Sequence, residues 1–142
     1  MHPLQLETEQ EAAVAILFAG IMHERSGLSQ SQIEHLSRIL VLSSKFKDTS
    51  LNDLTIKALS LQAEHGSKQL IEQSAPLISD DFKETLFAMT CEIVTAYGRV
   101  NEHESEILAM VALYLGLSME RMKMMLTTYV VRNRWNVQII EE

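Results

Sequence analysis

The chain is poor in the residues that turn a backbone. Its 142 positions include only 5 Gly and 2 Pro, and aromatics make up 6%. A sheet of many strands needs turn residues and β-branched or aromatic runs, and there is little material for one here. Cysteine is nearly absent. Cys91 has no partner for an internal disulfide, and it stands in an apolar stretch beside Glu92. A reactive thiol needs an electropositive neighbourhood. The expectation is therefore a buried, inert thiol, in keeping with a reducing cytoplasm.

Positive charge is scarce as well. Against 19 Asp and Glu there are 12 Lys and Arg, for a net charge of −7. That balance repels phosphate backbones, and no basic patch larger than Arg132 and Arg134 offsets it, so nucleic acid is not an expected partner. Long hydrophobic runs are missing too. The longest, residues 12–22, has eleven residues, whereas a membrane span needs about 20. The opening "MHPLQLETEQE" lacks the basic segment and apolar core of a signal peptide. A cytoplasmic chain without a membrane span is expected.

Leu, Ala, Met, Glu and Gln dominate, and these favour helices. At this length one domain is the simplest organisation, large enough to fold without a metal or disulfide. A first helix is expected from about Leu6–Thr8, with Glu7, Glu9 and Glu11 suiting its positive end. "RSGLS" breaks it, and Ser29 to Gln32 reads as a capping box before an apolar stripe of Ile33, Leu36, Ile39 and Leu40. Ser50 caps a third helix that Gly66 ends. A short helical piece from Ser67 stops before Pro76, because the residue preceding proline avoids the helical region. Ser79 or Asp81 opens the next helix, and Asn101 to Glu104 forms a second capping box. Gly116 and Ser118 separate the last two helices. From Tyr129 the composition turns to Tyr, Val, Trp and Ile, which suits an extended segment or docked tail over 129–142.

A weak internal repeat runs at an offset of 72 residues. Leu28 and Ser29 fall on Val100 and Asn101, Gln32 on Glu104, Leu36 on Leu108, and Ile39 on Val111. The fold expected is all-α, with six to seven helices in two pseudo-repeated helical-hairpin halves packed face to face.

The densest group of chemical side chains is Glu102, His103, Glu104 and Glu106. Successive helical residues point about 100° apart, so these four cannot all reach one ion. Glu102 and Glu106 share a face, and acidic residues in a first helical turn also complement the dipole. None of the five histidines forms H-E-x-x-H, there is no cysteine pair for zinc, and no G-x-S-x-G or phosphate-cradling loop is present. An enzyme is not expected. Two features leave a partner surface open. "SMERMKMML" sets Met119, Met122, Met125 and Leu126 in one stripe, which suits either a core or an adaptable binding face. Trp135 with Arg132 and Arg134 has the composition of a binding hot spot, although the tail could equally pack back on its own domain.

The segment "AYGRVNEHESEILAMVALYLGLS" resembles the TerB-like family, the helical domain of tellurite-resistance proteins. That pattern is an apolar helix ending in Ala-Asp-Gly, then two residues, a small cap, a Glu at the third helical position, and a helix closing in Leu-Gly-Leu. Ala96, Gly98, Val100, Asn101, Glu104 and Leu115-Gly116-Leu117 match it. "HERSGLSQSQIEHL" keeps Leu28, Ser29 and Gln32, and the resemblance covers residues 12–40 and 87–118. It implies a non-catalytic module in tellurite resistance or a related stress response, acting through protein partners or as a homo-oligomer. It also implies divalent-metal binding by the Asp before glycine, but Tyr97 and Arg25 stand at those places. The alternative function is a metal-binding or sensing protein whose ligands would come from Glu24, Glu92, Glu102 and Glu104.

Overall fold

The computed structural model describes residues 5–22, 30–96 and 102–136. Among them are six helices and no strand: α1 (Glu9–Met22), α2 (Gln30–Leu42), α3 (Leu51–Ser74), α4 (Lys83–Val94), α5 (Glu102–Leu115) and α6 (Met119–Asn133). Short 3-10 turns at Ser44–Phe46 and Ala75–Leu77 flank α3.

Helix α1 is apolar on every side, and residues 12–19 are at most 1% exposed. A helix without a polar face is stable only when surrounded. The rest of the bundle supplies that shell: α3 runs along α1, and α4 and α5 pack on it as well. Thr8 starts α1, its Oγ1 accepting from the Glu11 amide at 3.1 Å, while Glu11 reaches back to the Glu7 amide at 2.8 Å. The first turn then clasps its neighbours. Glu9 pairs with Lys45 at 2.7 Å and accepts from the Ser79 amide and hydroxyl at 2.7 and 2.6 Å. Glu11 pairs with Lys57 of α3 at 2.7 Å.

Ser50 caps α3, accepting from the Asp53 amide at 3.3 Å. Gly66, at φ 81° and ψ 168°, kinks that helix at the expected break. Such positive φ strains any residue with a Cβ. Past the kink, Leu70 and Ile71 are fully buried, and Ser67 Oγ donates to the Ala19 carbonyl at 3.2 Å. The expected cap of α4 is not there. Ser79 is engaged by Glu9, and Phe82 occupies the cap position without a side-chain bond. The expected capping boxes begin at Ser29 and Asn101, which lie outside the described residues.

The 72-residue spacing recurs in the spans of the first two helices of each half. Shifted by 72, α1 falls on 81–94 and α2 on 102–114, the spans of α4 and α5 to within two residues. Leu36 and Leu108 are both buried, as are Leu40 and Ala112. The halves meet by exchange, α2 packing on α4 while α5 packs on α1. Equivalent positions therefore touch: His35 Nε2 lies 3.1 Å from Glu92 Oε2. Their counterparts, Ile107 and Gly20, approach so that a Cβ on Gly20 would sit 4.0 Å from Ile107 Cγ2 and only 3.1 Å from Thr90 Cγ2. Glycine at 20 is what lets α1 lie this close to α4.

Of the extended segment or docked tail expected from Tyr129, the extended form is not what residues 129–136 adopt; residues 137–142 lie outside the described residues. Helix α6 continues to Asn133, followed by a turn at 134–135. The β-branched and aromatic residues there are read by local propensity as strand, but the inward side chain of Tyr129 and the buried Asn133 are placed by helical spacing against α4.

Candidate functional site

Helix α6 and the turn after it join exposed apolar side chains to exposed cations. Ser118 caps the helix, its Oγ accepting from the Arg121 amide at 3.1 Å. The preceding Gly116, at φ 78°, ends α5 and turns the chain. Met122, Met125, Leu126 and Tyr129 pack against the core, and Asn133 is buried. Three members of the expected methionine stripe thus serve the core, whereas Met119 is 61% exposed. On the opposite face Met124 and Val131 are more than half exposed, and Trp135 is 90% exposed.

The turn that presents Trp135 is tied down on both sides. Asn133 Nδ2 donates to Thr95 Oγ1 at 2.9 Å, and Thr95 Oγ1 donates to the Cys91 carbonyl at 2.7 Å. Asn136 Nδ2 lies 2.7 Å from the Ala96 carbonyl and 2.8 Å from Asn133 Oδ1. The end of α6 is thereby fastened to the end of α4 while the indole between the two asparagines points away. Sequence inspection singled out Arg132, Arg134 and Trp135, and all three are exposed. It missed Asn133 and Asn136, whose only signal was a polar residue on the inward side of the helix.

The charges divide into paired and free. Arg121 forks onto Glu84, its Nε at 2.7 Å and its NH2 nitrogen at 3.2 Å. Hydrogen bonding and charge from Arg121 hold the Glu84 carboxyl below the ordinary range. Among the described residues Lys123, Arg132 and Arg134 make no such pair, and all three are exposed.

The carboxylates proposed as metal ligands are placed apart in role. Glu92, on α4, faces His35. Glu102 and Glu104 occupy the first turn of α5. Glu24, Arg25 and Tyr97 lie outside the described residues. Among the described residues no three His, Cys, Asp or Glu side chains converge as an ion would require. The Glu92–His35 contact was not legible in sequence, because it joins residues 57 apart across two helices. Neither the shallow cleft of about 390 Å³ beside Asp53 and Lys57 nor the cavity of about 80 Å³ between Phe18, Leu36 and Leu59 is lined by that pair. Cys91 is fully buried, and burial pushes its thiol up to about 12. A thiol so placed is no nucleophile at neutral pH. Burial, and then the charge of Glu92, also raise the Tyr129 phenol.

No family model, curated protein or solved structure matches the chain. Among the described residues, no helix is long and apolar enough to cross a membrane.

Proposed function

We propose that this chain is a non-catalytic, TerB-like module that acts through protein–protein contact, with a part in tellurite resistance or a related stress response. The family assignment rests on the second-half motif from Ala96 to Ser118, and the stress role follows from that resemblance by analogy. The observation that carries the contact role is Trp135, 90% exposed on a turn fastened by two asparagines. Tryptophan and arginine are the residues most enriched among those that dominate binding energy, and a rigid mount lowers the ordering cost of association.

The test is affinity capture from the native cell with the intact chain and with Trp135→Ala. A partner retained by the first and lost by the second is expected. Equal recovery by both chains, or by neither, would remove the contact role. Growth of a deletion strain on tellurite decides the physiological part: unchanged sensitivity would refute it.

A further inference from the structure

The geometry points to the occupant of the α6 face: an acidic amphipathic helix from a partner protein, seated along Met124, Val131 and Trp135. This deepens the contact role proposed above and depends on it. At about 100° per residue, Met124 and Val131 fall within roughly 20° of one another on α6, and the exposed Trp135 follows in the turn past its end. Lys123 lies about 90° to one side of that pair and Arg132 about 90° to the other, with Arg134 at the helix end. From Met124 to the end of α6 at Asn133 the helix rises roughly 14 Å at 1.5 Å per residue, between two and three turns of a partner helix, before Trp135 extends the surface.

Charge selects the partner. Within residues 119–136 Lys123, Arg132 and Arg134 stand against the single carboxylate of Glu120, Arg121 being taken up by Glu84, a local balance of +2 in a chain of −7. Two copies pairing through α6 would set Lys123, Arg132 and Arg134 against themselves, which disfavours a symmetric dimer. A planar anionic membrane would bring its charge against the surrounding acidic surface as well as against α6, whereas a single helix meets only the stripe and its cationic flanks. Apolar anchors every third or fourth residue, with Glu or Asp on the sides, satisfy both features.

The single tryptophan makes the test direct, since all emission comes from the surface in question. The probe is a helical peptide of four turns with Leu at every third or fourth position and Glu elsewhere. Its control carries Lys in place of Glu. With the acidic peptide the emission is expected to move to shorter wavelength. The affinity should fall about tenfold or more in Arg132→Glu/Arg134→Glu, and markedly as salt rises. Both arginines are exposed, and an unchanged helical signal for the variant shows that its fold is intact. No shift with the acidic peptide overturns the inference, as does an equal shift with the lysine peptide. A shift produced only by vesicles of phosphatidylglycerol assigns the face to a membrane instead. A shift produced by raising protein concentration alone assigns it to a second copy. If the peptide fails while Trp135→Ala still loses its partner in the native cell, the contact role stands and only the acidic helix falls.

Discussion

Asn133→Ala should cost about 2 kcal/mol of stability and loosen the mount of Trp135. The side chain makes two hydrogen bonds, donating to Thr95 Oγ1 and accepting from Asn136 Nδ2. Each is worth about 1 kcal/mol net. The penalty stays near that sum because no buried donor is orphaned: Thr95 still donates to the Cys91 carbonyl, and Asn136 keeps Ala96. For a chain of this size about 2 kcal/mol lowers Tm by roughly 6 °C. The assay is urea unfolding followed by helical circular dichroism, in a double-mutant cycle with Thr95→Val. Coupling of about 1 kcal/mol between the two sites is expected. Trp135 supplies a second signal, since its fluorescence anisotropy should drop in Asn133→Ala while the bulk of the helix signal persists. Coupling near zero, with anisotropy unchanged, would show that the asparagine does not hold the turn.

Three further outcomes follow from the interior. Ser74 is fully buried and its Oγ has no hydrogen-bond partner among the described residues, so Ser74→Ala should raise stability by about 1 kcal/mol in urea unfolding; a loss of that size would show the hydroxyl to be satisfied. Burial alone would raise the carboxyls of Glu9 and Glu11, but bonds from Lys45 and Ser79 to the first, and from Lys57 and the Glu7 amide to the second, outweigh it and lower both. Their stabilisation is present in full above the ordinary value of 4.5 and disappears as pH falls through the lower folded values. Glu9→Gln should flatten the acid side of a Tm–pH curve, and an unaltered curve would refute the clasp. Cys91 behaves in the opposite sense. Its thiol ionises near 9.0 when unfolded and about 12 when folded, so stability is intact below 9 and declines as pH rises toward 12, by up to about 1.4 kcal/mol per unit. Cys91→Ala should decline less steeply over that window, and the native thiol should resist Ellman's reagent at pH 8 until denaturant is added. Rapid labelling without denaturant would contradict its burial.

The helices and several of their ends were legible because they depend on local chemistry. Ser50 and Ser118 cap where a hydroxyl followed by an apolar stripe said they would, and Gly66 breaks α3 because its φ is positive. The repeat was readable because burial imposes it: Leu36 and Leu108 must both turn inward. What sequence could not supply were contacts set by how helices cross. Ser79 offers a hydroxyl before a helix and looks like a cap, but the fold brings Glu9, seventy residues earlier, to the same hydroxyl. Tyr129 to Asn133 looks like a strand by composition, yet the pairing of Asn133 with Thr95 makes sense only on a helix. Trp135 was marked by residue type alone. Its exposure depends on Asn133 and Asn136, which no motif links to it.

The repeat also explains why the candidate surface lies at the C-terminal half. Two equivalent sets of positions build the two ends of the bundle, but with different side chains. In the first half Phe18, Leu36, Leu40 and Leu59 line a residual space of about 80 Å³, and α3 packs along α1. Their counterparts are Thr90, Leu108, Ala112 and Val131, three of them smaller. A smaller set offers less apolar surface for α6 to cover, at roughly 25 cal/mol for each Å² withdrawn from water. The hydrogen bonds at Asn133 and Asn136 fasten the C-terminal end of α6, and core packing by Leu126 and Tyr129 seats the inward face. Among the described residues no helix covers the apolar side chains of its outward stripe. Lys123 and Arg132 flank that stripe and Arg134 stands at its end, so a chain carrying the opposite charge is the occupant proposed for it.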